Sequence, residues 1–332
     1  MSAIKQIKPL GFPWETQDPF LFCVYHRDLF PEGNEEMGSD PEHFNGRMIG
    51  QDFTIKDGWR MYHGQQVPGF PQHPHRGFET ITVVPEGLVD HSDSMGATGR
   101  FGHGDVQWMT AGKGVLHSEM FPLVNDDKGN PLLLFQIWLN LPKRSKFVEP
   151  HYKMLWAEDI PVHKTSDAEV TIVAGDFEET KSLDTTPDSW AANPANGVAI
   201  WLIKIQANGT LKLPIADKEI NRSIYFYQGS HIMVDDQALN VQQGADLYAD
   251  QEVTLKNGNE EAHLLLLQGK PIGEPVVQQG PFVMNTQEEI YETFREYQRT
   301  QFGGWPWPKE EFVHPREKGR FALHADGKEE VK

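Results

Sequence analysis

A chain of 332 residues, 38% of them hydrophobic and with 19 Phe and 9 Trp, carries enough apolar material for two buried cores, which excludes a disordered protein. Lys and Arg number 30 against 48 Asp and Glu, and the resulting net charge of −18 repels a phosphate backbone, so direct nucleic-acid binding is not expected. No apolar run reaches the roughly 18–20 residues of a membrane span, the first six residues lack the apolar centre of a secretory signal, and the single Cys23 permits no intrachain disulfide, so a cytoplasmic protein off the membrane is expected.

In chain order, residues 1–17 read as a polar lead-in and 19–25 as a first core strand that buries Cys23. From Pro31-Glu32-Gly33-Asn34 to Pro68-Gly69 turn formers dominate, with one strand-like stretch at 51–55. A loop longer than about 12–15 residues in a compact domain is typically a lid, a binding loop or disordered. Strand-sized segments then follow at 80–84, 88–93, 106–110, 114–120 and 132–139, separated by Gly, Asn and Pro turns, which predicts an antiparallel sandwich or barrel over 18–141. Charge, Pro150 and Pro161 mark 142–164 as a linker.

The second half repeats the first in outline. Strands at 198–206, 224–227, 231–234, 246–248 and 263–267 predict a second barrel over 165–284. The turns at 85–87 and 227–229, and at 104–105 and 244–245, align as a weak internal duplication. After 285 the period changes. Thr286 followed by Glu289 is a capping-box pattern, and Ile290, Phe294 and Tyr297 form an apolar stripe, predicting a helix over 285–304 that covers a barrel. Residues 305–332 read as a surface-wrapping tail, partly disordered at its charged end.

Two ligand-like pairs stand in the first half, His73-Pro74-His75 and His117-Ser118-Glu119. Residues at i and i+2 on a strand share a face, about 6–7 Å apart, so each pair aims two side chains the same way. Two such strands facing each other bring three imidazoles and one carboxylate to one point, a donor set suited to a divalent transition metal. By parity alone Glu79 is an alternative carboxylate, unless a bulge at Arg76-Gly77 breaks the count. His91-Ser92-Asp93 repeats the spacing but is read as a hydrogen-bonded corner, and His103 as a turn residue. The second half has no equivalent pair: His231 and His263 are isolated, and this barrel is expected to bind no metal.

The run His73-Pro74-His75-Arg76-Gly77-Phe78-Glu79-Thr80 and the segment Gly104-Asp105-Val106-Gln107-Trp108-Met109-Thr110-Ala111-Gly112 that leads to His117-Ser118-Glu119 resemble the two metal motifs of the cupin superfamily, and specifically those of the pirin family. Gly280-Pro281-Phe282-Val283-Met284-Asn285-Thr286 and the helix after it resemble pirin C-terminal sequence. The resemblance runs from about residue 18 to residue 304, strongest at 70–120 and 271–304. The loop at 31–69 and the tail after 304 are longer than in the family's shorter members.

The resemblance implies an all-β fold of two tandem cupin jelly-roll barrels with a C-terminal helix, in which only the first barrel keeps a metal. It places the ligands at His73, His75, His117 and Glu119 and leaves Glu79 either supporting those ligands or serving the structure of the barrel. It implies Fe(II), although the same donors accept Ni, Mn, Cu, Co or Zn. It also implies an activity like that of quercetin dioxygenases, which open flavonol rings with O2, with Glu119 as the catalytic proton acceptor. Phe78, Trp108, Met109 and Phe121 are candidate walls for a flat aromatic substrate. The alternative is a regulatory protein, metal- or redox-dependent, that docks onto a protein partner. A metal-dependent isomerase or lyase needing no O2 is a third reading.

Overall fold

The computed structural model describes residues 2–332 and is almost wholly β, with one α-helix near the C-terminus, as expected. It divides into two compact units, and the division is not sequential. One contains residues 25–136, 143–157 and 274–332; the other contains 2–24, 137–142 and 158–273. The long strands Phe20–Phe30 and Asn130–Asn140 are each divided between them, after Val24 and after Gln136.

In the first unit two sheets carry the core. One runs in the order His151–Leu155, Val106–Thr110, Phe78–Glu86, Asn130–Asn140, Phe20–Phe30. The other runs Glu329–Val331, Phe321–Leu323, Thr98–Gly102, Leu88–Asp93, Val115–Met120, Gly69–His75. Phe30, Trp59, Val84, Phe101, Leu134 and Tyr152 belong to the apolar core of this unit. The strand Gly69–His75 lies at a sheet edge, where Pro71 and Pro74 cost no ladder bond.

Three stretches differ from the sequence reading. Residues 51–55 form no strand: the loop is closed by isolated bridges, Asp52 to Tyr62 and Lys56 to Trp59. Arg47 holds it together, donating from Nη1 to Asp52 at 2.9 Å and from Nη2 to the Lys56 carbonyl at 2.7 Å, with its guanidinium 3.5 Å over the Trp59 ring. The stretch read as a linker supplies the edge strand His151–Leu155, antiparallel to Val106–Thr110. The tail is ordered to its charged end, because Phe321–Leu323 pairs with Thr98–Gly102 and Glu329–Val331 pairs with Phe321–Leu323.

Arg100 anchors that tail. Its guanidinium donates to both oxygens of Asp90, at 2.7 and 2.8 Å, and to the carbonyls of His314, Pro315 and Lys318. The helix spans Gln287–Thr300 with the expected capping box: Glu289 N–H donates to Thr286 Oγ1, and Thr286 N–H to Glu289 Oε2. Ile290, Phe294 and Tyr297 pack on Phe282 and Met284, and Arg76 donates to Glu296 at 2.9 Å, which ties the helix to the residue after His75.

In the second unit a seven-stranded sheet is ordered Ile4–Pro9, Gln243–Tyr248, Asn221–Gln228, Ala262–Gly269, Ala199–Ile205, Ala168–Ala174, Val162–Lys164. A four-stranded sheet, Thr210–Leu213, Val253–Asn257, His231–Val234, Gln237–Asn240, completes the barrel. Trp201, Ile203, Ile224, Phe226, Leu264 and Leu266 belong to a single apolar core between strands.

Candidate metal centre

The two ligand strands are antiparallel neighbours, with His73 directly opposite His117. A register shift between Phe70 and His73 inserts a bulge at Pro71-Gln72 and turns the His73 ring toward its partners. His73 Nε2 lies 3.1 Å from His75 Nε2 and 3.0 Å from His117 Nε2. The ligand-capable atoms of these three residues all fall within 4.8 Å of one another. His73 Nδ1 donates to the Pro71 carbonyl at 2.8 Å, which leaves the Nε2 lone pair facing the cluster. His117 is fully buried, and its Nδ1 finds no partner among the described residues.

Burial holds all three rings neutral. Desolvation lowers the His73 pKa to about 4, against a small opposing effect of the Pro71 carbonyl, and drives those of His75 and His117 well down, with their neighbouring rings adding to it. Three neutral imidazoles with converging nitrogens crowd lone pairs together, and a shared cation satisfies them. The donor set therefore fits a divalent transition metal.

Glu119 stands beside this group. Its carboxylate lies 3.9 Å from His117 Nε2 and accepts from Thr82 Oγ1 at 2.8 Å and from Gln136 Nε2 at 2.5 Å. Desolvation raises its pKa, and those two hydrogen bonds oppose the shift. Thr82 and Gln136 were missed in the sequence. The signal was there: each is a polar residue at alternate parity within an otherwise apolar strand, Thr82-Val83-Val84 and Leu134-Phe135-Gln136-Ile137.

The other candidates separate by strand face. On Phe78–Glu86 the even-numbered positions share the face of Thr82, so Glu79 points the other way and accepts from Trp108 Nε1 and Thr110 Oγ1 at 3.2 and 2.7 Å. Neither Glu79 nor Trp108 therefore shares the face that carries Glu119's partners, which corrects Trp108 as a wall of the site and leaves Glu79 bonded in the interior. The break at Gly77, whose φ is +87°, resets the parity between the His73–His75 strand and Glu79. Phe78 sits edge-on to His75 at 5.0 Å between ring centroids. Met109 packs with Ala111 and Val115. Phe121 joins an aromatic group with Tyr62 and Phe70, and Phe70 reaches the His73 ring at 6.3 Å. Phe53 and His63 of the long loop extend this group, with Phe53 6.4 Å and His63 5.8 Å from Phe70.

His91 and Asp93 are strand residues rather than a corner. They lie opposite Glu119 and His117 in register, bond to each other at 3.2 Å and are fully buried. The His91 ring stacks on Tyr152 at 5.0 Å.

Acid should expose the burial of these histidines. His26, held near Tyr62 Oη at 2.7 Å, has its pKa lowered to about 3, by desolvation first and then by Arg60. Unfolded histidine takes up its proton near pH 6.5, whereas folded His26 and His73 wait until about 3 and 4. Stability is therefore complete above pH 6.5 and falls as pH drops, by about 3 kcal/mol for each of the two at pH 4. Denaturant titrations of metal-stripped protein from pH 7 to pH 4 should show this decline, with His26→Asn removing part of it.

Comparison with known proteins follows the same lines. The sequence model of the pirin family matches residues 16–139, and that of the pirin C-terminal cupin domain matches 200–303. Pirin of Rattus norvegicus is 36% identical over 249 residues, covering 73% of this chain and 80% of the rat protein. A Pseudomonas aeruginosa protein bearing the provisional name quercetin 2,3-dioxygenase is 36% identical over 242 residues, covering 72% of this chain and 80% of its own. Among solved structures, a quercetin 2,3-dioxygenase from Acinetobacter baumannii superposes with a TM-score of 0.70 at 27% identity, covering 91% of this chain and 96% of that one.

Proposed function

We propose, for a chain that belongs to the pirin family, that it is a metal-dependent dioxygenase, with iron as its metal, that opens flavonol-type aromatic substrates with O2. The observation that carries this reading is the convergence of three neutral imidazole nitrogens beside a buried carboxylate of raised pKa. The likeness to quercetin 2,3-dioxygenases supports the substrate class. His73, His75, His117 and Glu119 would hold the metal. When bound, it supplies Lewis acidity toward a substrate oxygen and a route for electrons to O2.

The chain's own residues supply the rest. Glu119 takes the proton from the substrate hydroxyl: its raised pKa brings its basicity nearer to that of a phenol than an exposed carboxylate would allow. Thr82 and Gln136 grip one carboxylate oxygen each and so fix its orientation. Phe70, half-buried and 6.3 Å from the His73 ring, offers a flat apolar surface against which an aromatic ring stacks. With Glu119 and His117 almost wholly buried, bulk water is kept from the reacting oxygen.

Metal analysis of the purified chain, paired with O2 uptake in the presence of quercetin, tests the reading. About one iron per chain and O2 consumed in step with substrate loss are expected. Bound metal with substrate turnover but no O2 uptake would point instead to a non-oxidative isomerase or lyase. Bound metal without any turnover would favour a metal-dependent protein-binding regulator.

A further inference from the structure

The long loop between Pro31 and Pro68 returns to the metal centre along the strand that carries His73. Its residues 61–63 run beside Gly69: Tyr62 and Gly69 form a parallel bridge, the His63 N–H donates to the Gly69 carbonyl at 3.1 Å, and the Gly69 N–H donates to the Met61 carbonyl at 3.2 Å. The next residue, Phe70, lies opposite Glu119 as His73 lies opposite His117, so its ring stands on the face that carries the candidate ligands. Two loop rings pack against it. His63 meets Phe70 edge-on at 5.8 Å between centroids, Phe53 lies at 6.4 Å, and Phe53 and His63 meet each other edge-on at 4.9 Å. Outward from the cluster, the ring spacing is thus 6.3 Å from His73 to Phe70 and 5.8 Å from there to His63.

Both loop rings are open to solvent. Phe53 is 40% exposed, and His63 is exposed as well. An aromatic patch that continues a buried site out to the surface is a place for a ligand to lie. His63 is also set for a hydrogen bond. Its Nδ1 donates to the Gly50 carbonyl at 2.8 Å, which in the neutral ring leaves Nε2 as an acceptor, and no described residue bonds to it. The loop is held on both sides. Arg47 ties Asp52 to the Lys56 carbonyl, and Glu311 of the tail accepts from the N–H groups of Gln65 and Gln66 at 2.7 and 3.2 Å. A wall fixed in this way spares a ligand the cost of ordering it.

We propose that Phe53 and His63 form the outer half of the substrate site and select aromatics that carry a second, hydroxylated ring. Phe70 and Phe53 take the rings of the ligand, and His63 Nε2 accepts from a hydroxyl remote from the histidine cluster. A single phenol ring held at the cluster is too short to span both ring spacings. A one-ring catechol therefore gains nothing from His63, whereas a flavonol gains an aromatic contact and a hydrogen bond. Charge acts in the same sense: the chain carries −18, so neutral phenols enter more readily than aryl carboxylates. The inference rests on the reading of the histidine cluster as a site for flavonol-type aromatics and adds which of them it takes.

Calorimetric titration of the iron-loaded full chain, kept anaerobic so that no turnover occurs, tests the assignment. The ligands are quercetin and 3-hydroxyflavone, which has no hydroxyl besides the one at position 3. Wild type should bind quercetin about tenfold more tightly than 3-hydroxyflavone. In His63→Phe that preference should disappear while 3-hydroxyflavone binding is kept, and His63→Gln, which offers a carbonyl acceptor, should regain part of it. Phe53→Ala should weaken both flavonols by about fivefold. Both side chains are at the surface, and unchanged metal content and melting temperature show that each variant is folded. Equal binding of the two flavonols to wild type, or a preference that survives His63→Phe, would overturn the inference and leave the reading of the histidine cluster standing. No binding of either flavonol to iron-loaded wild type would overturn both.

Discussion

Glu119→Gln should fold, keep metal on its three histidines and lose O2-dependent turnover of quercetin by about 10²–10⁴-fold. The amide preserves the shape of the side chain: its carbonyl accepts from Gln136 and its NH2 donates to Thr82, so both neighbours stay bonded. What disappears is the proton acceptor. Metal content and melting temperature measured on the same preparation separate this from a loss of structure. An unchanged rate would remove Glu119 from the reaction and leave it a packing residue. Thr82→Val is the companion test, since it keeps the carboxylate but frees one of its oxygens; a smaller loss of turnover, about tenfold, is expected.

Arg100→Leu should lower stability by about 3–5 kcal/mol, the largest single-residue effect expected outside the metal centre. Both partners of the Arg100–Asp90 pair are buried, at 1% and 0% exposure, so the substitution leaves a carboxylate in the interior without its counter-charge. It also strips the donor from four tail carbonyls, those of His314, Pro315, Arg316 and Lys318. Asp90 still accepts from the His314 N–H at 2.8 Å, which is too little to compensate a full charge. Denaturant unfolding of Arg100→Leu, Asp90→Leu and the double variant checks the cause: the double variant should lose less than the sum of the singles. Protease sensitivity of the segment after residue 305 should rise in Arg100→Leu, since the tail loses its anchor. A loss confined to about 1 kcal/mol would mean the tail is held mainly by its strand pairing.

The sequence carried the periodic and short-range features. Alternating apolar strands between Gly and Pro turns determined an all-β chain with two cores, because a strand's two faces are written residue by residue. The capping box at Thr286 and the stripe Ile290, Phe294, Tyr297 determined the helix for the same local reason. The pairs His73–His75 and His117–Glu119 were legible because each sits within three residues of chain. Tertiary structure decided which of these features meet. That His73 lies opposite His117 depends on strand pairing across 44 residues and on a bulge whose register no local pattern fixes. Thr82 and Gln136 reach Glu119 from strands 37 and 17 residues away. Strand parity from His73 and His75 made Glu79 an alternative carboxylate, and the left-handed turn at Gly77 put it on the other face of the sheet, where Trp108 donates to it. The ordered tail followed the same rule. Its charged composition suggested solvation, but the buried carboxylate of Asp90 and the guanidinium of Arg100 gave its backbone partners that only the folded sheet supplies.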